Sequence, residues 1–395
     1  MSLQLPPLSL YIHIPWCVRK CPYCDFNSHH AGDALPETDY VAALALDLTQ
    51  EKALAQGRSI QTVFFGGGTP SLFSAGAIGR ILEQVDNTIG LASDAEITLE
   101  ANPGTFEQER FSGYRRAGVN RLSIGIQSFQ NHQLEKLGRI HGGQEALGAV
   151  DMARRAGFDN LNLDLMHGLP DQTTAEARAD LDQAIALSPE HLSWYQLTIE
   201  PNTHFYSAPP LLPVEDTLAD IQEMGEARLA EAGYEQYEVS AYARHGQFAR
   251  HNLNYWTYGD YLGIGAGAHG KITLPGESRI TRRWKTRLPE HYLSRAAAFT
   301  EQSGTGAIIA GRHPLLAGEE TLEAGGLPLD YLLNVLRLNE GVAPERFTER
   351  TGLALDHISR QWQTLAAKGL VRPAEERLAT TPLGRRFLND VLAAF

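Results

Sequence analysis

Cysteine is scarce in this chain, and so are the features that direct a protein across a membrane. Only three cysteines occur among 395 residues, which excludes a scaffold held together by disulfide bonds. No run of about 18 apolar residues is present, so the sequence predicts no membrane span. Residues 1–10 lack the basic and long apolar regions of a signal peptide, and we therefore expect a protein of the reducing cytosol.

Basic residues are also few relative to acidic ones. Aspartate and glutamate number 47 against 34 lysines and arginines, which gives a formal net charge of -13. A surface of this charge repels nucleic acid phosphates unless it contains a strong basic patch, and no long run of basic residues occurs. Nucleic acid is therefore not an expected partner.

The first half of the chain alternates short apolar segments with amphipathic ones. Strands are predicted at residues 9–14, 62–65, 96–100, 121–126, 160–166 and 191–199, and helices at 40–55, 75–88, 107–117, 143–156 and 174–187. About six βα units predict an α/β fold with a parallel sheet, closed or nearly closed into a partial TIM-like (βα)6 barrel. Function would then lie at the carboxyl ends of the strands. An open, doubly wound sheet is the competing architecture.

The second half of the chain follows a different pattern. Three prolines at 209, 210 and 213 indicate a linker, a helix is predicted at 217–232, and residues 234–270 are predicted to be irregular. Three helices at 331–338, 344–351 and 355–368, a small hairpin and a final helix predict a mostly helical, winged-helix-like tail. We expect a barrel with the cysteine loop at 1–210, a barrel extension at 211–290 and the C-terminal domain at 291–395. Because basic and acidic residues nearly balance in the tail, a DNA-binding winged helix with a redox-sensing cluster is the least favoured reading.

All three cysteines lie in one short loop with the spacing CxxxCxxC, at Cys17, Cys21 and Cys24. Thiolates are the usual ligands of iron–sulfur clusters, and three of them leave one iron of a cubane without a protein ligand. A zinc site is the alternative, with a fourth ligand from His13, His29 or His30. The loop follows the first predicted strand, which places it at the functional face of a barrel.

This loop is similar to that of the radical S-adenosylmethionine superfamily, and residues 11–16, YIHIPW, resemble the oxygen-independent coproporphyrinogen III oxidase branch. The resemblance covers nearly the whole chain. It implies a [4Fe–4S] cluster on the three cysteines, whose open iron binds the amino and carboxylate groups of S-adenosylmethionine. In that superfamily, reductive cleavage then gives a 5′-deoxyadenosyl radical.

Polar residues interrupt the apolar strands near their carboxyl ends, beginning with the glycine-rich segment that follows the second strand. Glycines allow the backbone to approach a ligand closely, and a carboxylate can accept hydrogen bonds from an ammonium group or a ribose hydroxyl. Several such residues at one barrel rim favour a ligand site. By resemblance, the residues that contact S-adenosylmethionine are Tyr11, Tyr23, Gly67, Gly68, Thr69, Glu100, Gln127, Arg139 and Asp164. No catalytic residue is assigned.

Two further motifs lie in the second half. Residues 265–270 match the dinucleotide fingerprint GxGxxG, but 271–280 reads as a hairpin, so the phosphate-binding helix is missing. Residues 251–256 read HNLNYW and place His251 beside two large aromatics. This HNxxYW pattern resembles the mark of a heme-chaperone branch of the family, which makes His251 a candidate heme ligand.

The chain departs from the decarboxylase pattern at Phe26, where that enzyme carries a further cysteine. The resemblance therefore implies a heme chaperone that binds heme and transfers it to acceptor proteins, respiratory proteins at the membrane being candidates. The alternative is an oxygen-independent coproporphyrinogen III dehydrogenase. A monomer or a cofactor-dependent homodimer, cytoplasmic or peripheral at the inner membrane, is expected.

Overall fold

The computed structural model describes residues 3–32, 34–104, 108–303 and 313–395. The strands are β1 Leu8–Ile14, β2 Trp16–Cys17, β3 His29–His30, β4 Ile60–Gly67, β5 Leu91–Ala101, β6 Arg121–Gln127, β7 Leu161–His167, β8 His191–Gln196, β9 Glu235–Glu238, β10 Ala241–Ala243, β11 Asp260–Ile264, β12 His269–Leu274, β13 Arg279–Lys285 and β14 Leu316–Thr321. The helices are α1 Glu37–Glu51, α2 Ala75–Thr88, α3 Gln108–Ala117, α4 Asn131–Lys136, α5 Gly143–Arg155, α6 Thr174–Ala186, α7 His204–Ser207, α8 Glu215–Glu231, α9 Arg250–Trp256, α10 Pro289–Ser303, α11 Leu327–Val335, α12 Glu345–Thr351, α13 Asp356–Ala367, α14 Pro382–Arg386 and α15 Leu388–Leu392.

One large sheet organises the described part of the chain. Its strand order is β14-β13-β12-β11-β1-β4-β5-β6-β7-β8-β10-β9, and the seven strands from β11 to β8 run parallel. The six predicted strands are β1 and β4 to β8, and they lie side by side in chain order. A doubly wound sheet reverses its strand order at a switch point, whereas this order never reverses between β1 and β8. The sheet does not close, so the architecture is the predicted partial barrel.

The strands form because their apolar residues are buried on both faces. Every residue of β6 is buried, and β1 is buried at all positions except Tyr11, which is half-buried. Fully buried parallel strands of this kind require helices to cover them. Helices α1, α2, α3 and α5 pack side by side in chain order, and α6 packs on α8.

The prediction that residues 234–270 are irregular is wrong. This segment contains β9, β10, α9 and β11, and β12 begins at His269. Two of these strands, β10 and β11, extend the sheet beyond β8 and β1 respectively. They escape a pattern-based prediction because they are short and belong to a segment rich in glycine, tyrosine and histidine.

The tail forms three helices, as predicted, followed by a bridge between Val371 and Thr380. The final helix is divided into α14 and α15. The apolar core of the tail, which includes Tyr331 and Trp362, also contains Leu3, Tyr237, Tyr258 and Ile280. Residues far apart in sequence therefore share this core, and the predicted domain boundaries remain a prediction.

No helix in the described part of the chain combines the length and the apolar character needed to span a bilayer.

A buried ionic cluster joins β13 to α1. Lys285 Nζ lies 2.7 Å from Asp47 Oδ1 and 2.5 Å from Glu51 Oε1, and His313 Nε2 lies 2.9 Å from the same Glu51 oxygen. Burial alone would raise the pKa values of both carboxyls, but Lys285 and His313 lower them below their usual range. The ammonium group occupies the space between these groups, so the cluster is an ion-pair network rather than a metal site.

Replacing Lys285 with Met is expected to lower the free energy of unfolding by about 3–5 kcal/mol, because two carboxylates would stay buried without their nearest cation. Urea denaturation measures the change. The matched control is Lys136→Met, whose partner Asp171 has an exposed side chain, and this variant should lose less than about 1 kcal/mol. Equal losses in the two variants would contradict the assignment.

Candidate metal and cofactor site

The cysteine loop begins directly after β1, at the carboxyl end of that strand. Strands β2 and β3 pair in parallel and close the loop, with Trp16 opposite His29 and Cys17 opposite His30. The Ala31 N–H donates to Cys17 O at 2.9 Å, and the His29 N–H donates to Pro15 O at 2.7 Å. The loop is thus held by backbone hydrogen bonds at its base, and none of its three cysteines forms a disulfide.

All three cysteines line one cavity of about 350 Å³. Thr69 Oγ1 donates to Cys17 Sγ at 3.5 Å, and an Arg139 N–H donates to Cys21 Sγ at 3.6 Å. Burial raises the pKa values of Cys17 and Cys24, so these sulfurs are thiols unless a metal stabilises the thiolate. Three sulfur ligands in one cavity fit an iron–sulfur cluster with one open iron.

The zinc alternative requires a histidine at this cavity. Among the residues that the structure describes, no histidine lines it. Hydrogen bonds join His13 Nε2 to Asn27 O at 2.8 Å, His29 Nε2 to Asn27 Oδ1 at 3.1 Å and His30 Nδ1 to Val18 O at 2.9 Å. The donor set at the cavity is therefore three thiols without imidazole, which disfavours a four-ligand zinc site.

The glycine segment after β4 lies directly against the β1 end. Gly67 has φ +116, and a Cβ built there would lie 2.5 Å from His13 Cε1. A Cβ on Gly68 would lie 2.5 Å from the Trp16 carbonyl oxygen. Only glycine fits either position, and the backbone N–H of Gly67 donates to Glu100 Oε2 at 3.2 Å.

Two carboxyl groups face the same cavity, Glu100 at the end of β5 and Asp164 in β7. Burial, reinforced by the charge of Asp164, raises the pKa of Glu100 to about 8. Burial also raises the pKa of Asp164, although Ser123 Oγ and Asn162 Nδ2 donate to it at 2.9 and 2.8 Å. Within the described chain, no lysine or arginine forms a salt bridge with either carboxyl, so the cavity suits a ligand that carries positive charge.

Gln127 ends β6 in a strained conformation. Its φ is +68, which is uncommon for a residue with a side chain, and the β6–β7 ladder is irregular between Gly125 and Gln127. The Tyr195 hydroxyl donates to Gln127 Oε1 at 2.9 Å and fixes the amide. Strain and bulges of this kind concentrate at ligand sites, where they re-aim a side chain.

Arg139 connects several strand ends. One terminal nitrogen donates to Asn102 Oδ1 and to Gly125 O, both at 2.7 Å, and Asn102 Nδ2 donates to Thr69 Oγ1 at 3.0 Å. The sequence analysis missed the roles of Asn102, Ser193 and Tyr195, which all line this cavity. Asn102 follows the end of β5, Tyr195 lies near the end of β8 and Ser193 lies within β8. Polar residues that interrupt apolar strands are the signal that could have identified them.

The structure brings together most of the residues that the sequence singled out. The residues lining the cysteine cavity include Cys17, Cys21, Cys24, Tyr23, Gly67, Gly68, Thr69, Glu100, Gln127, Arg139 and Asp164. Tyr11 instead lines an adjoining cavity, where its hydroxyl forms a 2.9 Å hydrogen bond with His13 Nδ1. The predicted contacts of these residues with S-adenosylmethionine remain predictions.

The adjoining cavity is larger, at about 700 Å³, and shares Phe26, Gly67 and Glu100 with the cysteine cavity. It lies between the cysteine loop, the β12–β13 hairpin and α9. Its aromatic lining comprises Tyr11, Phe26, Tyr255, Trp256, Tyr258, Tyr261 and Trp284, and its cationic lining comprises Lys271, Arg282, Lys285 and Arg287. Aromatic walls with a few charged groups are typical of a site for a large planar ligand.

His251 does not line either cavity among the described residues. It is 1% exposed, and its ring nitrogens form hydrogen bonds with Thr62 Oγ1 at 2.7 Å and the Tyr255 hydroxyl at 2.9 Å. Burial lowers the pKa of His251 to about 3, so the imidazole is neutral. Its hydrogen-bond partner Tyr255 forms part of the wall of the larger cavity. The assignment of His251 as a heme ligand stays a hypothesis.

The glycine-rich segment 265–270 leads into β12, which begins at His269 and pairs with β13 in antiparallel fashion. The predicted hairpin is therefore confirmed, and a strand rather than the phosphate-binding helix of the dinucleotide fingerprint follows these glycines. A Cβ on Gly267 would lie 2.3 Å from Asn27 Nδ2, and Asn27 donates to Ala266 O at 3.0 Å. These glycines let the segment pack against the cysteine loop.

Comparison with known proteins agrees with this geometry. Residues 11–184 match the model of the radical SAM superfamily, and residues 328–387 match that of the HemN C-terminal domain. The chain is similar to the heme chaperone HemW of Escherichia coli, with 51% identity over 100% of this chain and 99% of the relative. It is also similar to the heme chaperone HemW of Bacillus subtilis, with 34% identity over 98% of each.

Among solved structures, the chain resembles coproporphyrinogen III oxidase from Escherichia coli, described as a radical SAM enzyme. The TM-score is 0.80 at 23% identity, over 99% of this chain and 90% of that chain. At this identity the likeness establishes the fold alone. The relatives of higher identity define the branch: the chain belongs to the radical SAM superfamily, in the HemW-type branch of the oxygen-independent coproporphyrinogen III oxidase-like family.

Proposed function

We propose that the protein binds heme and passes it to acceptor proteins, and that it carries a [4Fe–4S] cluster and S-adenosylmethionine beside the heme. The observation that carries the proposal is the large aromatic cavity with cationic groups that adjoins the cysteine cavity. Full-length relatives named as heme chaperones, the first at 51% identity, support it. Radical SAM membership supports the two cofactors.

The smaller cavity would hold the cluster and S-adenosylmethionine. A cubane on three thiolates supplies one iron with an open position for the amino and carboxylate groups of the cofactor. Residues around the cysteines would stabilise the cluster and the ligand. Arg139 donates toward Cys21, and the buried carboxyls of Glu100 and Asp164 would face the positive charge of the ligand. Because these carboxyls are poorly solvated, a cationic ligand gains more from them than it would at the surface.

The larger cavity would hold heme. Its volume of about 700 Å³ falls within the range of about 300–1,000 Å³ that is usual for ligand pockets. Aromatic side chains such as Tyr255, Tyr261 and Trp284 offer faces for a porphyrin plane. A cationic side chain at the cavity that is not already paired with a carboxylate suits a heme propionate, which forms charge-assisted hydrogen bonds.

Phe26 favours a carrier over a decarboxylase. It stands where the resemblance places a further cysteine in the enzyme, and its ring lines both cavities while remaining 59% exposed. An apolar ring at this boundary supplies contact area for a porphyrin but no thiol chemistry. The completeness of the S-adenosylmethionine cavity is the observation that favours the alternative, an oxygen-independent coproporphyrinogen III dehydrogenase.

The same proposal extends to the acceptor proteins and to the cellular location. Respiratory heme proteins at the membrane are the candidate acceptors, and the protein would act in the cytoplasm or at the inner face of the membrane. It would do so as a monomer or as a dimer that forms with its cofactors.

Removing one cysteine tests the cluster. Protein purified without oxygen should be brown and contain about four irons per chain, and Cys17→Ala should lose both the colour and most of the iron. The matched controls are His29→Ala and His30→Ala, whose side chains hydrogen-bond to the loop without lining the cavity. Tightly bound zinc that disappears in either histidine variant would establish the zinc alternative instead.

Glu100→Gln tests the ligand role of the buried carboxyl. A carboxyl whose folded-state pKa is about 8 binds a proton that the unfolded chain releases above about 4.5, so its contribution to stability falls as pH rises from about 4.5 to 8. Three other titratable groups interact electrostatically with the Glu100 carboxyl, namely Tyr11, Asp164 and Tyr255. In the cluster-free protein, Glu100→Gln should therefore be more stable than the parent at pH 8, with little difference at pH 5.

The same variant, with its cluster reconstituted, should bind S-adenosylmethionine at least about tenfold more weakly. Urea denaturation at the two pH values and anaerobic equilibrium dialysis provide the measurements. The control is Glu83→Gln, at an exposed position of α2. A variant that loses stability at pH 8, or that binds the cofactor as well as the parent, would show that Glu100 is only a structural group.

Heme uptake measured beside 5′-deoxyadenosine production separates carrier from catalyst. Anaerobic protein with its cluster should take up one heme per chain, seen as a Soret band, and should not convert coproporphyrinogen III to protoporphyrinogen with a reductant present. Protoporphyrinogen formation, or rescue of a strain that lacks the decarboxylase, would establish the enzyme. Absence of stoichiometric heme uptake would rule out the carrier.

A further inference from the structure

We infer that His269 is the protein ligand to heme iron in the larger cavity and that Arg287 binds a heme propionate. The inference rests on the proposed function and specifies its site. His269 begins β12, at the edge of the cavity and outside the HNxxYW segment.

Of the described histidines that line the larger cavity, His269 is the one whose ring nitrogens are free to bind iron. In the described part of the chain, only His13 and His269 line the larger cavity. Both ring nitrogens of His13 are engaged, Nδ1 with the Tyr11 hydroxyl at 2.9 Å and Nε2 with Asn27 O at 2.8 Å. No hydrogen bond to either ring nitrogen of His269 is found among the described residues, so either nitrogen is available without breaking an existing hydrogen bond.

The β12–β13 hairpin holds this histidine against the cavity wall. His269 pairs with Trp284 and Lys271 pairs with Arg282, so these four side chains share one face of the antiparallel ladder. The His269 and Trp284 rings are stacked, with centroids 6.4 Å apart and an angle of 25° between their planes. Trp284 itself packs over Gly318, where a Cβ would lie 2.2 Å from the indole ring.

The protonation state of His269 suits a ligand. Burial, together with the nearby charge of Arg282, lowers the pKa of His269 below its usual range. The ring is therefore neutral at neutral pH, and only a neutral imidazole nitrogen can bind a metal. His269 is also exposed enough to meet an incoming planar ligand, whereas His251 lies behind Tyr255.

Only one cationic side chain that lines the larger cavity lacks a carboxylate partner among the described residues, and it is the candidate to bind a propionate. Three of the cationic groups already face carboxylates: Lys271 with Asp260, Arg282 with Asp330, and Lys285 with Asp47 and Glu51. Arg287 forms no salt bridge within the described residues, and its Nε donates to Asn27 Oδ1 at 3.3 Å. Its exposed guanidinium keeps donors for a carboxylate of the ligand.

The test of the iron ligand uses the cluster-loaded full chain and ferric heme. His269→Ala is expected to lose the imidazole-type absorption and electron paramagnetic resonance spectra and to bind heme at least about tenfold more weakly. In His269→Gly, added free imidazole should restore the imidazole-type spectrum, which a purely structural role would not predict. The control is His357→Ala, an exposed histidine of α13, which should behave as the parent protein does.

His251→Ala separates the two candidate ligands. It is expected to keep the imidazole-type spectrum, even where its buried position lowers stability. Loss of that spectrum in His251→Ala with its retention in His269→Ala would overturn the inference in favour of His251. Parent protein that takes up no stoichiometric heme would reject the proposed function itself, whereas uptake that is unchanged in His269→Ala would reject only this inference.

Arg287→Gln tests the propionate contact. It should weaken binding of heme by about tenfold, because a charge-assisted hydrogen bond is lost. Binding of heme dimethyl ester, which lacks the propionate charges, should be the same in the variant and the parent. An equal loss for both ligands would show that Arg287 acts only through the local fold around the cavity, and no loss for either ligand would show that Arg287 is not part of the heme site.

Discussion

The close contact between the ends of β1 and β4 is the constraint on which the site depends. Gly67 and Gly68 leave no room for side chains against His13 and Trp16, so the cysteine loop lies directly over the next strand end. Thr69 then reaches Cys17, and the Gly67 N–H reaches Glu100. A side chain at Gly67 or Gly68 would clash with the His13 ring or the Trp16 backbone, so we expect a substitution at either glycine to displace the loop from the strand ends.

Much of this arrangement is predictable from the sequence because it depends on local and periodic features. Strands buried on both faces produce the apolar runs that predict β1 and β4 to β8, and parallel strands bring their carboxyl ends to one edge. Glu100 and Asp164 could be placed at one rim without knowledge of their contacts, since each interrupts such a run. The cysteine spacing and its position after β1 predict the cavity in which the structure places all three sulfurs.

The rest depends on contacts between distant segments, which no local pattern encodes. The positive φ of Gln127 arises from a bulge in the pairing of β6 with β7. The position of His251 could not be predicted either, because its burial results from α9 packing against β1 and β4. Short edge strands such as β10 form only where a neighbouring strand offers a partner, so their sequences carry little signal of their own.

The two cavities differ in the charge they favour, and Glu100 lies on their boundary. On the cysteine side, Glu100 and Asp164 form no salt bridge with a lysine or arginine in the described chain, which favours a sulfonium or ammonium group. On the other side, Arg287 has no carboxylate partner among the described residues, which favours an anionic tetrapyrrole. A positive ligand beside Glu100 would favour its ionised form and lower its pKa from about 8. If the two cavities hold the proposed ligands, the charge on the shared wall would depend on which cavity is occupied, and each ligand would influence the other electrostatically without any change in backbone structure.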